Sequence, residues 1–303
     1  MLRFVLFVAL AADVHAAMGA VDIDSAAAVY RDAAIREQVR ASLGGMPQQI
    51  RRLFEGDSET KLNSEQLAAV TAAATRGFRI DVFDAPALSS FAGNLDAATV
   101  KKTEAFLSSD LGRRMVAADV AVASLDQAEI DKVMNGDIAV ATAPKRDAIL
   151  DKLQHASRST ESAVQIFLSM GTAVAVGAAV GAGTDPGPVQ ERSQKAGEVS
   201  RAALEEGMRV PLRRYLAYGY RDLSDSDLEQ VLSFMQSAAG KRYVSAYIAS
   251  MDAGFTAMGR RCGEQLGESF RELAQAQLTT TRREDAPPPG IAKPDTDKPA
   301  PKD

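Results

Sequence analysis

The chain has no tryptophan, one cysteine and two histidines in 303 residues, and aromatic side chains make up only 6% of it. One cysteine excludes an internal disulfide, so the fold must be held by its core, and the chain is long enough to bury one. With so few His and Cys, no ordinary zinc constellation can be assembled. A Ser-His-Asp arrangement would have to use His155, and nothing near it resembles a nucleophile elbow. His155 lies in a polar helical stretch and is expected to face solvent. A basic excess is missing too: 35 Lys and Arg stand against 40 Asp and Glu, for a net charge of −5. Nucleic-acid binding normally needs that excess to neutralise phosphates, so this partner class is not expected. Gly177, Gly181 and Gly183 lack the Lys-Ser/Thr ending of a phosphate-binding loop. Few aromatics and abundant alanine also disfavour long strands. Alanine enters helices at no side-chain entropy cost, so the composition points to an all-α fold.

What is present begins with an export leader. Arg3 precedes an apolar run from Phe4 to Ala12, and Val14-His-Ala16 offers small residues where a signal peptidase cuts, so residues 1–16 read as a signal peptide. The run is too short to cross a bilayer, which needs roughly 20 residues. Beyond it, helix follows helix. Ser25 to Gly44 carries Val29, Ala33, Val39 and Leu43 at helical spacing. Asn63 and Ser224 are expected helix caps, the latter with Asp227 as a capping box. Leu228, Val231, Leu232 and Met235 then form a buried stripe, as do Tyr243, Tyr247, Met251, Phe255 and Met258.

The most informative pattern is an internal repeat. Shifted by 128 residues and without a gap, Leu95 meets Leu223, Phe106 meets Phe234, Ser109 meets Ser237 and Gly112 meets Gly240. Arg114 meets Arg242, Val116 meets Val244 and Ala118 meets Ala246. Seven identities between Leu95–Ala118 and Leu223–Ala246 are several times what chance supplies over 24 positions. The expected organisation is a helical bundle of two tandem copies, residues 17–158 and 159–281. The same shift sets a leading helix at 31–54 against 159–182 and a long middle helix at 64–94 against 192–222. Both a pair of bundles and one bundle with pseudo-twofold symmetry satisfy this pattern. Residues 282–303, with six prolines among Lys and Asp, read as a disordered tail.

Ala163 to Gly183 is uncharged and carries Gly177-x-x-x-Gly181, a spacing that lets helices approach closely. A buried central helix is the expectation and a membrane helix the alternative; its counterpart at 35–55 is plainly water-soluble. Asp222, Asp225, Asp227 and Glu229 cluster, but a calcium loop starting at Asp225 would need Gly and Glu where Gln230 and Gln236 stand. Helix capping explains them instead. No metal and no cofactor is expected. Gly112-Arg113-Arg114 and Gly240-Lys241-Arg242 recur, and a glycine followed by two cations is the one candidate contact for an anion or a partner. The plainer reading is a tight turn between helices with solvated cations. Cys262 is expected to pack against a neighbouring helix, or to pair between chains.

The stretch from Leu223 to Tyr243, Leu-Ser-Asp-x-Asp-Leu-x-x-x-Leu-x-Phe-Met-x-Ser-x-x-Gly-Lys-Arg-Tyr, resembles an exported Gram-negative family known as domain of unknown function 2059. The first copy departs from it with Asp96 for the capping serine, Thr99 for the acidic residue and Met115 for the tyrosine. The resemblance implies a helical periplasmic protein and carries over no catalytic residue. The functional expectation is a soluble, non-catalytic interaction or structural module of the cell envelope, its grooves receiving an envelope protein or peptide. A membrane-associated component anchored through 163–183 is the alternative, with an enzyme of unrecognised type behind it.

Overall fold

A computed structural model describes residues 21–56 and 62–284, and among them every regular element is a helix, without a strand. The leader at 1–16 and the tail beyond 284 lie outside the described residues. In chain order the helices are α1 (Ile23–Asp32), α2 (Ile35–Ser42), a 3-10 turn (Leu43–Gly45), α3 (Met46–Gly56), α4 (Ser64–Gly77), α5 (Ile80–Gly93) and α6 (Ala97–Leu107). There follow α7 (Asp110–Ala123), α8 (Gln127–Asn135), α9 (Pro144–Ala156), α10 (Ser159–Ala182), α11 (Gly187–Gly219), α12 (Asp225–Gln236) and α13 (Ala238–Glu284).

Helix α13 is the spine. Its 47 residues span about 70 Å at 1.5 Å per residue, and it packs on α4, α5, α6, α10 and α12. One hydrophobic cluster runs from Ala26 through Leu153 and on from Ala217 to Leu266. Both expected copies therefore share a core, and the two-bundle arrangement does not apply. Aromatic side chains fill the end near the start of α13, where Phe91 meets Tyr243 and Tyr30 edge-on at 6.2 and 5.7 Å.

Farther along α13 the packing changes character. Gly177 and Gly181 of α10 face Arg260 and Glu264, while Gly263 and Gly267 of α13 face Val174 and Ala178. A Cβ on any of these glycines would strike a backbone carbonyl of the other helix. The two backbones thus touch directly along a parallel seam. This uses the glycine spacing of α10, although that helix is not central as expected. Only some of its residues are buried, and Phe167 and Val180 are 49% and 48% exposed. On the other flank Cys262, 2% exposed, lies against Gly77 of α4, as the packing expectation had it.

Several expected helices are interrupted. Ser25–Gly44 breaks after Asp32, where Ala34 takes φ +50; the bend lets α1 pack on α5 and α6 while α2 packs on α7. The segment 64–94 is two helices, because Phe78 and Arg79 leave helical geometry after Gly77, whereas its partner in the shift follows the continuous α11 as far as Gly219. The segment 31–54 is likewise broken where 159–182 is one helix. Equivalence at a spacing of 128 is confined to α6–α7 and α12–α13, whose helices begin at Ala97 and Asp225, then at Asp110 and Ala238. The final helix also runs through Glu284, into the start of the expected tail.

Candidate ligand-binding cavity

The site is built on the two helix pairs that share a sequence. In each pair a serine caps the second helix. Ser109 Oγ accepts from Gly112 N–H at 2.9 Å and donates to the Phe106 carbonyl at 2.6 Å. Ser237 repeats both bonds, with Gly240 at 3.0 Å and Phe234 at 2.7 Å. Each glycine lies in the first turn of its helix, not in the turn between helices. A Cβ there would collide with the same phenylalanine's carbonyl oxygen. This conserves the corner angle between the helices and explains the Ser-x-x-Gly spacing.

The two corners meet each other. Phe106 stacks on Phe234 with centroids 3.9 Å apart and planes 5° from parallel. Arg114 forks onto Asp227 at 2.8 and 3.0 Å, and Arg242 pairs in return with Asp96. Both carboxylates sit at helix N-termini: Asp96 caps α6, and Asp227 completes the capping box of α12 with Ser224. The Asp227 carboxyl is held well below the usual range, first by Arg114 and then by Ser224. Of the four expected contact residues, Arg114 and Arg242 are therefore engaged across the molecule. Arg113 approaches Asp110 at 3.7 Å and bonds the Ser108 carbonyl, and Lys241 is exposed. The acidic cluster is dispersed in the same manner: Asp225 pairs with Arg146 at 2.9 Å and Glu229 with Lys145 at 3.0 Å. Among the described residues no group of three His, Cys, Asp or Glu is arranged to hold a metal. His155 is exposed. Burial pushes the Cys262 thiol up to about 11, which keeps it protonated and unreactive.

One turn beyond the corners the helices diverge around a cavity of about 390 Å³, within the size range of small-molecule sites. Its walls repeat as well. Met115, Val116, Asp119 and Ala123 of α7 line it, and so do Tyr243, Val244, Tyr247 and Met251 of α13, each 128 positions later. Helices α2, α10 and α11 close the remaining sides through Gln38, Ser159 and Tyr215. Apolar side chains make up most of the rest.

Asp119 is the one charged residue of the lining. It keeps partial exposure because it faces the cavity, yet burial among protein atoms pushes its carboxyl up to about 7. The Tyr220 hydroxyl donates to it and offsets part of that rise. Burial first, and then Asp119, pushes the Tyr215 phenol up to about 12, and Tyr220, Tyr243 and Tyr247 are raised too. Tyr247 donates to Gln38 Oε1 at 3.1 Å, and Gln38 in turn donates to the Ala33 carbonyl at 2.9 Å. Ser159 Oγ is buried without a hydrogen-bond partner. Among the described residues, the two non-glycine positions with left-handed backbone, Ala34 and Arg158 at φ +50 and +53, adjoin the lining residues Ala33 and Ser159. Each costs roughly 1 kcal/mol, and such strain tends to collect where a site needs it.

No family model, no curated protein and no solved structure matches this chain. The function must be read from the cavity itself. Sequence reasoning had missed Asp119 by one position, since the repeat was followed only to Ala118 and Ala246. Continued by one residue, it sets Asp119 against Tyr247, a carboxylate and a phenol on the same helical face.

Proposed function

We propose that this chain is an exported, non-catalytic binding protein built on two copies of a helix pair, which takes a small, largely apolar molecule into the cavity between them. The observation that carries the reading is the cavity: about 390 Å³, lined by the same face of both pairs, with a lone carboxylate inside. Support for duplication comes from the matched caps, the self-stacked Phe106 and Phe234, and the reciprocal Arg–Asp pairs. Export and a periplasmic location rest on the leader sequence, and kinship with domain of unknown function 2059 on the Leu223–Tyr243 motif.

The test is uptake of a neutral, environment-sensitive dye by the full chain and by a Val116→Phe variant that fills the cavity. Saturable one-to-one uptake by the native chain, reduced at least tenfold in the variant, is the expected result. Equal uptake by both would move binding to the outer surface and overturn the reading.

A second reading has its own observation. Helix α10 is long and apolar enough to cross a membrane, and Phe167 and Val180 on it are about half exposed. This favours contact with an envelope partner or the bilayer through its exposed flanks. Retention in the membrane fraction after an alkaline wash is its expected outcome.

A further inference from the structure

The cavity contains an acidic group and no basic one. Its lining includes Asp119 and no Lys, Arg or His. Tyr215, Tyr220, Tyr243 and Tyr247 all line it and all lie within the electrostatic reach of that carboxylate. The remaining walls are apolar or flexible, including Met115, Met235 and Met251. Ser159 adds a buried hydroxyl with no partner of its own.

Three ligand chemistries can be weighed against this lining. A carboxylate or phosphate would meet a negative charge with no cation to receive it, and like charges in a poorly solvated space repel strongly. A neutral apolar molecule would fill the volume but bring Asp119 no donor beyond the Tyr220 hydroxyl, so the carboxyl would have to take up a proton or bear the cost of burial. An ammonium supplies the missing charge. Phenol rings around a carboxylate also suit it, because aromatic rings attract cations and Asp119 can hold an N–H.

We propose that the cavity selects a cationic amphiphile, a protonated or quaternary amine on a short apolar chain, with its nitrogen against Asp119 among the tyrosines and its chain along the methionines and valines. This rests on the cavity being a binding site at all, and the experiment separates the two claims.

Calorimetric titration of the full chain with n-octylammonium, 1-octanol and octanoate, each below its aggregation limit, compares three heads on one tail. The expected result is octylammonium binding at least tenfold tighter than octanol, with octanoate weakest. In Asp119→Asn the ammonium preference over octanol should fall to within about threefold, while octanol affinity stays within twofold of native. That unchanged octanol affinity, with unchanged helix content by circular dichroism, also reports that the variant is folded. If all three bind alike, or octanoate binds best, the cavity reading stands and the cationic selectivity is overturned. Retention of the full ammonium preference in Asp119→Asn also overturns it. If none of the three binds the native chain, both claims fall.

Discussion

Helix α13 solves two opposite packing problems along its length. At Gly259, Gly263 and Gly267 it presents bare backbone to α10, and the two backbones close into a seam where a single methyl group has no room. From Tyr243 to Met251 it presents large side chains to α7 and α11, and a cavity remains among them. The lesson concerns residue size more than hydrophobicity. Small residues on a straight helix produce contact, because the helices approach until their backbones stop them. Large residues hold neighbouring helices apart, and where one of them is a carboxylate the gap cannot simply collapse around apolar groups.

The comparison can be broken most forcefully at the seam. Gly263→Val puts a branched side chain on the Val174 carbonyl and should cost roughly 4 kcal/mol or more. Urea unfolding would register it as a large fall in midpoint, and a fall under about 1 kcal/mol would mean the helices are not in direct backbone contact.

The next effect belongs to the cavity and has the opposite sign. The folded-state pKa of Asp119 is raised above its unfolded value to about 7, so the folded chain binds the proton more tightly than the unfolded one. Between about pH 4 and 7 the unfolded state therefore holds fewer protons, and stability declines as pH rises. Above 7 the loss is complete. Asp119→Asn removes it, and should stabilise the protein by about 2–3 kcal/mol at pH 8, the roughly 4 kcal/mol of the full shift being reduced by the partial exposure of the carboxyl, while changing little at pH 4. Besides the phenols of Tyr215, Tyr220, Tyr243 and Tyr247, no titratable group lines this space. Thermal unfolding at the two pH values measures the difference; an equal effect at both would assign the gain to packing.

The smallest effect sharpens the contrast at the cavity rim. Ala34→Gly and Arg158→Gly relieve left-handed backbone and should each raise stability by a few tenths to about 1 kcal/mol. Dye or octanol affinity, measured alongside, should fall if the strain serves to hold Ala33 and Ser159 in place.

Much of the seam was legible in advance. Gly177-x-x-x-Gly181 announces close approach whatever the partner, and the Ser-x-x-Gly spacing announces a corner. The partner of the seam was not legible, because Gly259, Gly263 and Gly267 occur within a helix that also carries Arg260, Glu264 and Glu268. The exposed flanks of α10 were equally hidden. An uncharged stretch reads as buried on every side, while tertiary packing covered only the sides that α11 and α13 reach. The broken helices at Ala34 and Phe78 follow from which neighbours each half must meet, and local propensity contains no record of that. Asp119 shows a different limit. An acidic residue in a helix is ordinarily solvated, and only its register opposite Tyr247 marks it as inward-facing. Of the recurring cations, Arg114 and Arg242 find their carboxylates in the other corner, more than a hundred positions away, which spacing within either copy could not show.

The stacking of Phe106 on Phe234 gives the proposed duplication a consequence for ancestry. A segment that binds its own duplicate would, as a separate chain, bind a second molecule of itself across a twofold axis. Joining the two on one polypeptide replaces a concentration-dependent encounter with a tethered one, so the pairing survives dilution. It also releases the two halves from identity. In a homodimer a substitution to aspartate at position 119 would occur on both sides at once, setting two like charges across one space. Fusion lets one side keep the acid and the other become a tyrosine, and an asymmetric chamber can then evolve inside a symmetric frame.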